Sequence, residues 1–215
     1  METSRIRDGI RAGLPLALAP LLFGASFGLL AVDAGMGWVG AVAMSATTFA
    51  GSAQFAAASI IDDGGGALAA IVAAILLNAR YVPLSLAVAS IFPGSRRRRF
   101  LESQLIVDES WALAGRSGRF DYAILTGVGI LLYVLWVGGT AIGTVVGDLL
   151  DPEAIGLDAA FPALFLALLA PYLRTRRALV TALVAGAITF VLLPFAPPGV
   201  PIVAASFAAL IGLRR

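Results

Sequence analysis

The sequence predicts an all-α polytopic membrane protein with about seven transmembrane elements, at least two of them interrupted. Three observations carry this. Hydrophobic residues make up 60% of the chain and mean hydropathy is +0.94, against about 45–50% apolar residues in a soluble domain. Apolar runs of about 17–25 residues, enough to cross a hydrocarbon core of ~30 Å, recur along the whole chain. Two of those runs carry polar groups at their centres.

The first apolar element covers 12–32. It follows a basic start, "METSRIRDGIR", but is longer than a signal h-region and has no clear A-x-A site behind it, so it reads as a membrane helix and not a cleavable signal. Further elements are expected at 38–61, 67–92, 122–147, 159–173, 178–194 and 200–213. The last is short for a span and would tilt or thin the bilayer locally. The connections "DAGMG", "DDGGG", "DPEAIGLD" and "FAPPGV" are short and built from loop-forming residues, so residues 1–215 read as a single transmembrane domain. Trp38, Tyr122 and Tyr172 fall at element ends, where amphipathic rings favour the interface. Residues 100–115, "FLESQLIVDESWALAG", form an amphipathic segment; as one helix it would put Glu102 and Glu109 two turns apart on one face, beside Asp108. Three acids in that stretch point to the interface or a polar cavity and not to lipid.

Charge segregation orients the second half. "RRRR" at 96–99, Arg116, Arg119, "RTRR" at 174–177 and the terminal "RR" belong to the cytoplasmic side, and the acidic stretch 147–158 to the outside. Three full crossings from an inside N-terminus would put "RRRR" outside. Either the N-terminus is outside, or one early element enters and returns, or 100–115 is misplaced; N-out and C-in with seven crossings is the arrangement adopted. "RRRR" is chiefly a topology signal, with anionic-lipid binding a secondary use.

The chain has no cysteine and no histidine, and all 15 basic residues are arginine. That removes Ser-His-Asp, Cys-His and Ser-Lys catalysis, His/Cys zinc and haem ligation, and disulfides. No metal or cofactor is expected. A formal net charge of +2 gives no reason to expect a nucleic-acid partner; the lipid bilayer is the partner the composition implies. "GASFG" at Gly24–Gly28 matches G-x-S-x-G, but that elbow needs a strand-to-helix turn and a histidine. Here Gly24 and Gly28 read as a helix-packing pair. Gly139, Gly143 and Gly147 recur every fourth residue and predict a flat stripe for close docking of another helix.

The interruptions carry the functional reading. "MSATTFAGSAQF" lies inside 38–61, and "NARYVP", residues 78–83, inside 67–92. A charged arginine at a helix centre costs about 2.5–3.5 kcal/mol on insertion scales. Pro83 cannot donate, which frees a carbonyl near Ala79, and a freed carbonyl at membrane depth needs protein or water. Two successive broken elements are how discontinuous transporter helices look in sequence. The candidate substrate-binding residues are Thr48, Gly51, Ser52, Gln54, Asn78, Arg80 and Tyr81. Arg80 would hold a substrate carboxylate, Asn78 and Gln54 would supply further polar contacts, and the unwound backbone near Gly51 would supply amides or carbonyls. A structural ion pair of Arg80 with Glu102, Asp108 or Glu109 is the competing role. With no histidine, Asp108, Glu109 and Asp158 are the candidate proton carriers.

The motifs "FAGSAQF", "NARY", "DESWAL", W-x-x-G-T-x-x-G at 136–143 and "GLDAAFPALFLALLAP" at 156–171 resemble, in order and spacing, the AzlC-type branched-chain amino acid permeases. The resemblance covers nearly the whole chain. It implies a bacterial inner-membrane exporter of valine, leucine, isoleucine or analogues, the large subunit beside a small, separately encoded AzlD-type membrane partner. It departs at Tyr81, where several members have histidine, so a proton-coupling role resting on that histidine does not carry over. No phosphate-binding motif G-x-x-x-x-G-K-[ST] is present, so an ion gradient or the substrate gradient is the expected energy source. The alternative is a membrane scaffold or accessory subunit without a substrate site, which the glycine stripes suit and the costly Asn78 and Arg80 do not. A membrane enzyme is a distant third.

Overall fold

The computed structural model describes residues 2–116, 119–147, 166, 169–170, 173–196, 200–208 and 210. The described residues are helical almost throughout: α1 (Glu2–Gly13), α2 (Leu18–Asp33), α3 (Gly37–Thr48), α4 (Gly51–Asp62), α5 (Ala67–Asn78), α6 (Tyr81–Val88), α7 (Arg96–Ser103), α8 (Asp108–Ala114), α9 (Tyr122–Gly147), α10 (Arg176–Leu192) and α11 (Val200–Ser206). A short antiparallel pairing of Gly115–Arg116 with Arg119–Phe120 leads into α9.

Helix α9 is the axis of the molecule. Tyr122–Val146 is, among the described residues, the one helix long and apolar enough to cross a membrane alone. Asp121 starts it, its carboxylate accepting from the Ala123 and Ile124 amides at 2.8 and 3.1 Å, as an N-cap does. Two bent pairs reach span length when read together, residues 5–16 with 18–33 at 67° and residues 67–78 with 81–91 at 42°. The expected count of seven is not reached among the described residues: neither 38–61, split into α3 and α4, nor the 17-residue α10 qualifies as a span. Most of element 159–173, the acidic loop 148–158 with Asp158, Tyr172 and the terminal arginines lie outside the described residues. Many large apolar side chains point outward, among them Leu68, Ile75, Leu86, Val134 and Phe190, as suits a surface whose solvent is lipid.

Small residues bring α2 and α9 into backbone contact. Gly24 faces the Trp136 carbonyl, Gly28 faces that of Thr140, Gly139 faces Leu21 and Gly143 faces Ala25. The two stripes read separately from the sequence therefore face each other. Gly147 ends α9. Beside this seam lies an aromatic core in which Phe27 meets Phe55 edge-on at 5.8 Å and Phe55 meets Trp136 at 6.4 Å.

Two expectations are corrected. The first apolar element is not one helix from 12 to 32: a 3-10 turn at Leu14–Leu16, with Pro15 in it, separates α1 from α2. Residues 100–115 are not one helix either, so Glu102 and Glu109 do not share a face. Val107 is extended and ends the turn between α7 and α8. The Ser110 hydroxyl accepts from the Val107 amide at 3.0 Å and donates to the Leu105 carbonyl at 2.7 Å, which fixes this break.

Candidate functional site

The two central apolar elements are broken where their polar residues lie, 38–61 between α3 and α4 and 67–92 between α5 and α6. The first break turns on Phe49, which takes φ +41°, the one positive φ of a non-glycine residue among the described residues. Such a conformation costs about 1–3 kcal/mol and persists only where its surroundings over-determine it. Here the Phe49 ring packs edge-on against Tyr133 at 5.2 Å. The backbone groups exposed by the break are also met. The Ala46 carbonyl accepts from the Tyr133 hydroxyl at 2.8 Å, the Thr47 carbonyl accepts from the Gln104 amide, and the Ala50 amide donates to Gln54 Oε1 at 3.1 Å. At membrane depth such groups would need partners from protein or water, and here protein supplies them.

Gln54 organises the interior of the break. It is wholly buried. Its Nε2 donates to Ser45 Oγ at 2.8 Å, Ser45 Oγ lies 2.8 Å from Thr140 Oγ1, and Thr140 Oγ1 donates to the Trp136 carbonyl at 2.9 Å. The Trp136 indole closes the circuit by donating to Gln54 Oε1 at 3.1 Å. Gln54 was expected among the substrate ligands; it lies behind the cavity wall with both amide atoms engaged. Gln54→Leu removes that acceptor and leaves the Trp136 and Ala50 donors unpaired, at about 1–3 kcal/mol for each buried group. A clear fall in the thermal unfolding midpoint of the purified protein is expected; an unchanged midpoint would count against the circuit as a fixture of the fold.

The second break lies between Asn78 and Tyr81. Pro83 sits in the first turn of α6, where an amide would lack an intrahelical acceptor in any case. The Ala79 carbonyl, which Pro83 cannot serve, accepts from the Val82 amide at 3.1 Å. Arg80 stands at the start of α6 and reaches across to the first break. Its Nη1 lies 3.0 Å from Asp108 Oδ2, its Nη2 donates to Ser52 Oγ and to Tyr81 Oη at 3.2 Å each, and its guanidinium lies 5.0 Å from the Tyr81 ring centroid.

These groups share one cavity of about 420 Å³, within the range of about 300–1,000 Å³ usual for small-molecule sites. Ser52, Arg80, Tyr81, Asp108 and Glu109 form its polar side. Phe23, Phe49, Phe55, Val107, Leu132 and Trp136 form much of its apolar wall. Gly51 and Ser52, in the first turn of α4, also line it; amides there have no intrahelical acceptor and carry the positive end of the helix dipole. The cavity thus offers a cation, helix amides, two carboxylates and an aromatic-aliphatic wall. Thr48 and Asn78 are placed elsewhere, on a separate groove of about 650 Å³ beside Met36, Met44, Ile71 and Val82. Asn78 Oδ1 is shielded there with no hydrogen-bond partner among the described residues. No group of three or more acidic side chains that could hold a metal ion is found among the described residues.

The AzlC protein family matches residues 15–150, more than half of the chain. The chain belongs to the AzlC family. The stretch that matches the family contains all five polar side chains of the cavity and the Gln54 circuit. Among its relatives, a membrane protein of Archaeoglobus fulgidus is 33% identical over 185 residues, 81% of this chain and 79% of that protein. A membrane protein of Helicobacter pylori is 25% identical over 166 residues, 75% of this chain and 73% of its own length. The branched-chain amino acid transport protein AzlC of Bacillus subtilis is 24% identical over 157 residues, 71% of this chain and 62% of its own. No solved structure matches the chain. Within this AzlC chain, Trp136 and Tyr133 are the contributors that the reading of individual residues passed over. Their signal was available: a tryptophan indole and a tyrosine hydroxyl in the middle of an apolar helix each need a partner.

Proposed function

We propose that the protein is a secondary transporter of branched-chain amino acids, valine, leucine, isoleucine or close analogues. It works in the bacterial inner membrane in the direction of export, beside a small membrane subunit of the AzlD type. The observation that carries the reading is the cavity between the two breaks, with Arg80 and the α4 amides at one side and an apolar aromatic wall at the other. A zwitterion with an aliphatic side chain needs those three things together. The substrate carboxylate takes the Arg80 guanidinium and the first-turn amides of α4, where charge-assisted bonds are strongest. Asp108, released from Arg80, and Glu109 face the ammonium group. The aliphatic side chain lies against Phe55, Leu132 and Trp136. Exchange of Asp108 for the substrate carboxylate on one arginine gives the carboxylates a change of environment on each cycle, which is what coupling to a proton gradient requires.

The test is flux in vesicles reconstituted from the full chain with and without the small subunit and loaded with labelled valine. Saturable efflux, inhibited by leucine and isoleucine and driven by an imposed pH gradient, is the expected result. Vesicles containing both subunits that release valine no faster than empty ones would sink the transporter reading and favour a scaffold role.

A further inference from the structure

We propose that α7 is an anionic-lipid-binding helix, whose face formed by Arg96, Phe100, Arg97 and Leu101 docks on phosphate headgroups of the leaflet at which α9 begins. At 3.6 residues per turn these four side chains fall, in that order, within an arc of about 140°. Arg98, Glu102 and Arg99 occupy the opposite arc and are tied to the body of the protein. Arg98 Nε lies 2.7 Å from Glu102 Oε1, Arg98 Nη2 donates to Tyr122 Oη at 3.1 Å, and the Tyr122 hydroxyl donates to the same Glu102 oxygen at 2.8 Å. Arg99 Nε donates to the Phe92 carbonyl at 2.7 Å. The four consecutive arginines therefore have two uses: Arg98 and Arg99 fasten the helix, while Arg96 and Arg97 have no hydrogen bond or ion pair among the described residues.

The fastened side fixes what the other side presents. Phe100 is 75% exposed and Leu101 62% exposed, interleaved with Arg96 and Arg97. A helix holds an anionic membrane surface by two attractions, large apolar groups entering the acyl boundary and basic groups meeting phosphate, and this face offers both, because an arginine stem lies along apolar surface while its guanidinium reaches the headgroup. The position agrees with the pattern. Tyr122, which holds Arg98, is the first residue of α9, the helix long and apolar enough to span by itself, and α7 starts five residues after the bent pair that ends at Ile91. Both neighbours thus place α7 at the level where spans leave the hydrocarbon.

The experiment uses the full chain purified in mild detergent and titrated with phosphatidylglycerol or phosphatidylcholine, with retained lipid counted by native mass spectrometry. The wild type is expected to prefer the anionic lipid, and added salt to weaken that preference. Arg96→Gln/Arg97→Gln is expected to lower the preference roughly thirtyfold, about fivefold for each basic residue near the surface, with the lipid-free unfolding midpoint unchanged because neither side chain holds the fold. Phe100→Ser is expected to weaken retention of both lipids. An unchanged anionic preference in the double arginine variant would overturn the proposal. So would a large fall in its lipid-free midpoint, or displacement of the lipid by inorganic phosphate at equal concentration, which would mark a plain anion site.

Discussion

Arg80→Gln is expected to reduce valine efflux by between about thirtyfold and several thousandfold while the protein stays in the membrane at near-normal abundance. Losing one partner of a hydrogen-bonded charge pair at a binding site costs about 2–5 kcal/mol, and each 1.4 kcal/mol is about a factor of ten. The same reasoning applied to folding gives a much smaller number. The side chains of Arg80 and Asp108 are 41% and 34% exposed, and ion pairs that open contribute about 0–1 kcal/mol to stability. Asp108, left alone, still lies in the first turn of α8, where the helix dipole favours an anion. Arg80→Lys keeps the charge but not the forked geometry that meets Ser52, Tyr81 and Asp108 together, so part of the flux is expected to return. The readouts are vesicle efflux and membrane abundance measured on the same preparation. Low abundance that is restored by adding Asp108→Asn would make the pair structural. Full efflux in Arg80→Gln would defeat both roles.

The positions of the breaks were legible because they are written in single residues. "TTFAGS" and "NARYVP" put polar and helix-disturbing groups where a lipid-facing helix would carry none, and the chain opens at Phe49–Ala50 and Ala79–Arg80. Pro83 marks its break at an offset, because proline is tolerated in a first turn and acts on the carbonyl about four residues earlier. The division of 12–32 was missed although Pro15 stood in it; a proline near the start of an apolar run fits a helix N-terminus equally well. The break inside 100–115 was hidden for another reason. Ser110 caps Val107 with a hydroxyl where the familiar capping pattern has Glu or Gln.

How the site assembles was legible only in part. Arg80 and Asp108 were both suspected, and their meeting at 3.0 Å joins α6 to α8 across 28 residues of sequence. Gln54 was assigned by chemistry alone, since a polar residue in an apolar run suits a ligand and a structural tie equally. What separates the two roles is the Ser45–Thr140 contact, between residues 95 apart, and no local pattern encodes that distance. Thr48 is one position before the break, so the change of direction at Phe49 turns it to the other groove while Gly51 and Ser52 line the cavity.

The glycine seam gives the largest expected effect on the fold itself. At Gly143 a Cβ would fall on the Ala25 carbonyl oxygen, with the Ala25 carbonyl carbon at 2.7 Å and its Cα at 2.8 Å. These are backbone atoms, so no rotamer change relieves the clash and the helices must part. At Gly28 the same substitution would meet the Thr140 carbonyl and the Thr144 amide nitrogen, the latter at 2.9 Å. Forcing extra atoms into a packed interior costs about 1–3 kcal/mol for small additions, against a total stability of about 5–15 kcal/mol. Gly143→Ala is therefore expected to lower the unfolding midpoint by several degrees, and Gly143→Leu to leave little assembled protein. Separation of α2 from α9 would also draw Trp136 and Thr140 away from Gln54 and Ser45, so surviving Gly143→Ala protein is expected to lose efflux as well. Gly138 is the internal control. It lies in the same helix with nothing within 4 Å of an added Cβ, and alanine there gains helix propensity of up to about 1 kcal/mol. Gly138→Ala should match or exceed the wild type in midpoint and efflux. The measurements are fluorescence-detected size-exclusion chromatography and thermal unfolding of the detergent-purified protein. A Gly143→Leu protein that elutes and melts like the wild type would show that α2 and α9 do not meet along these glycines.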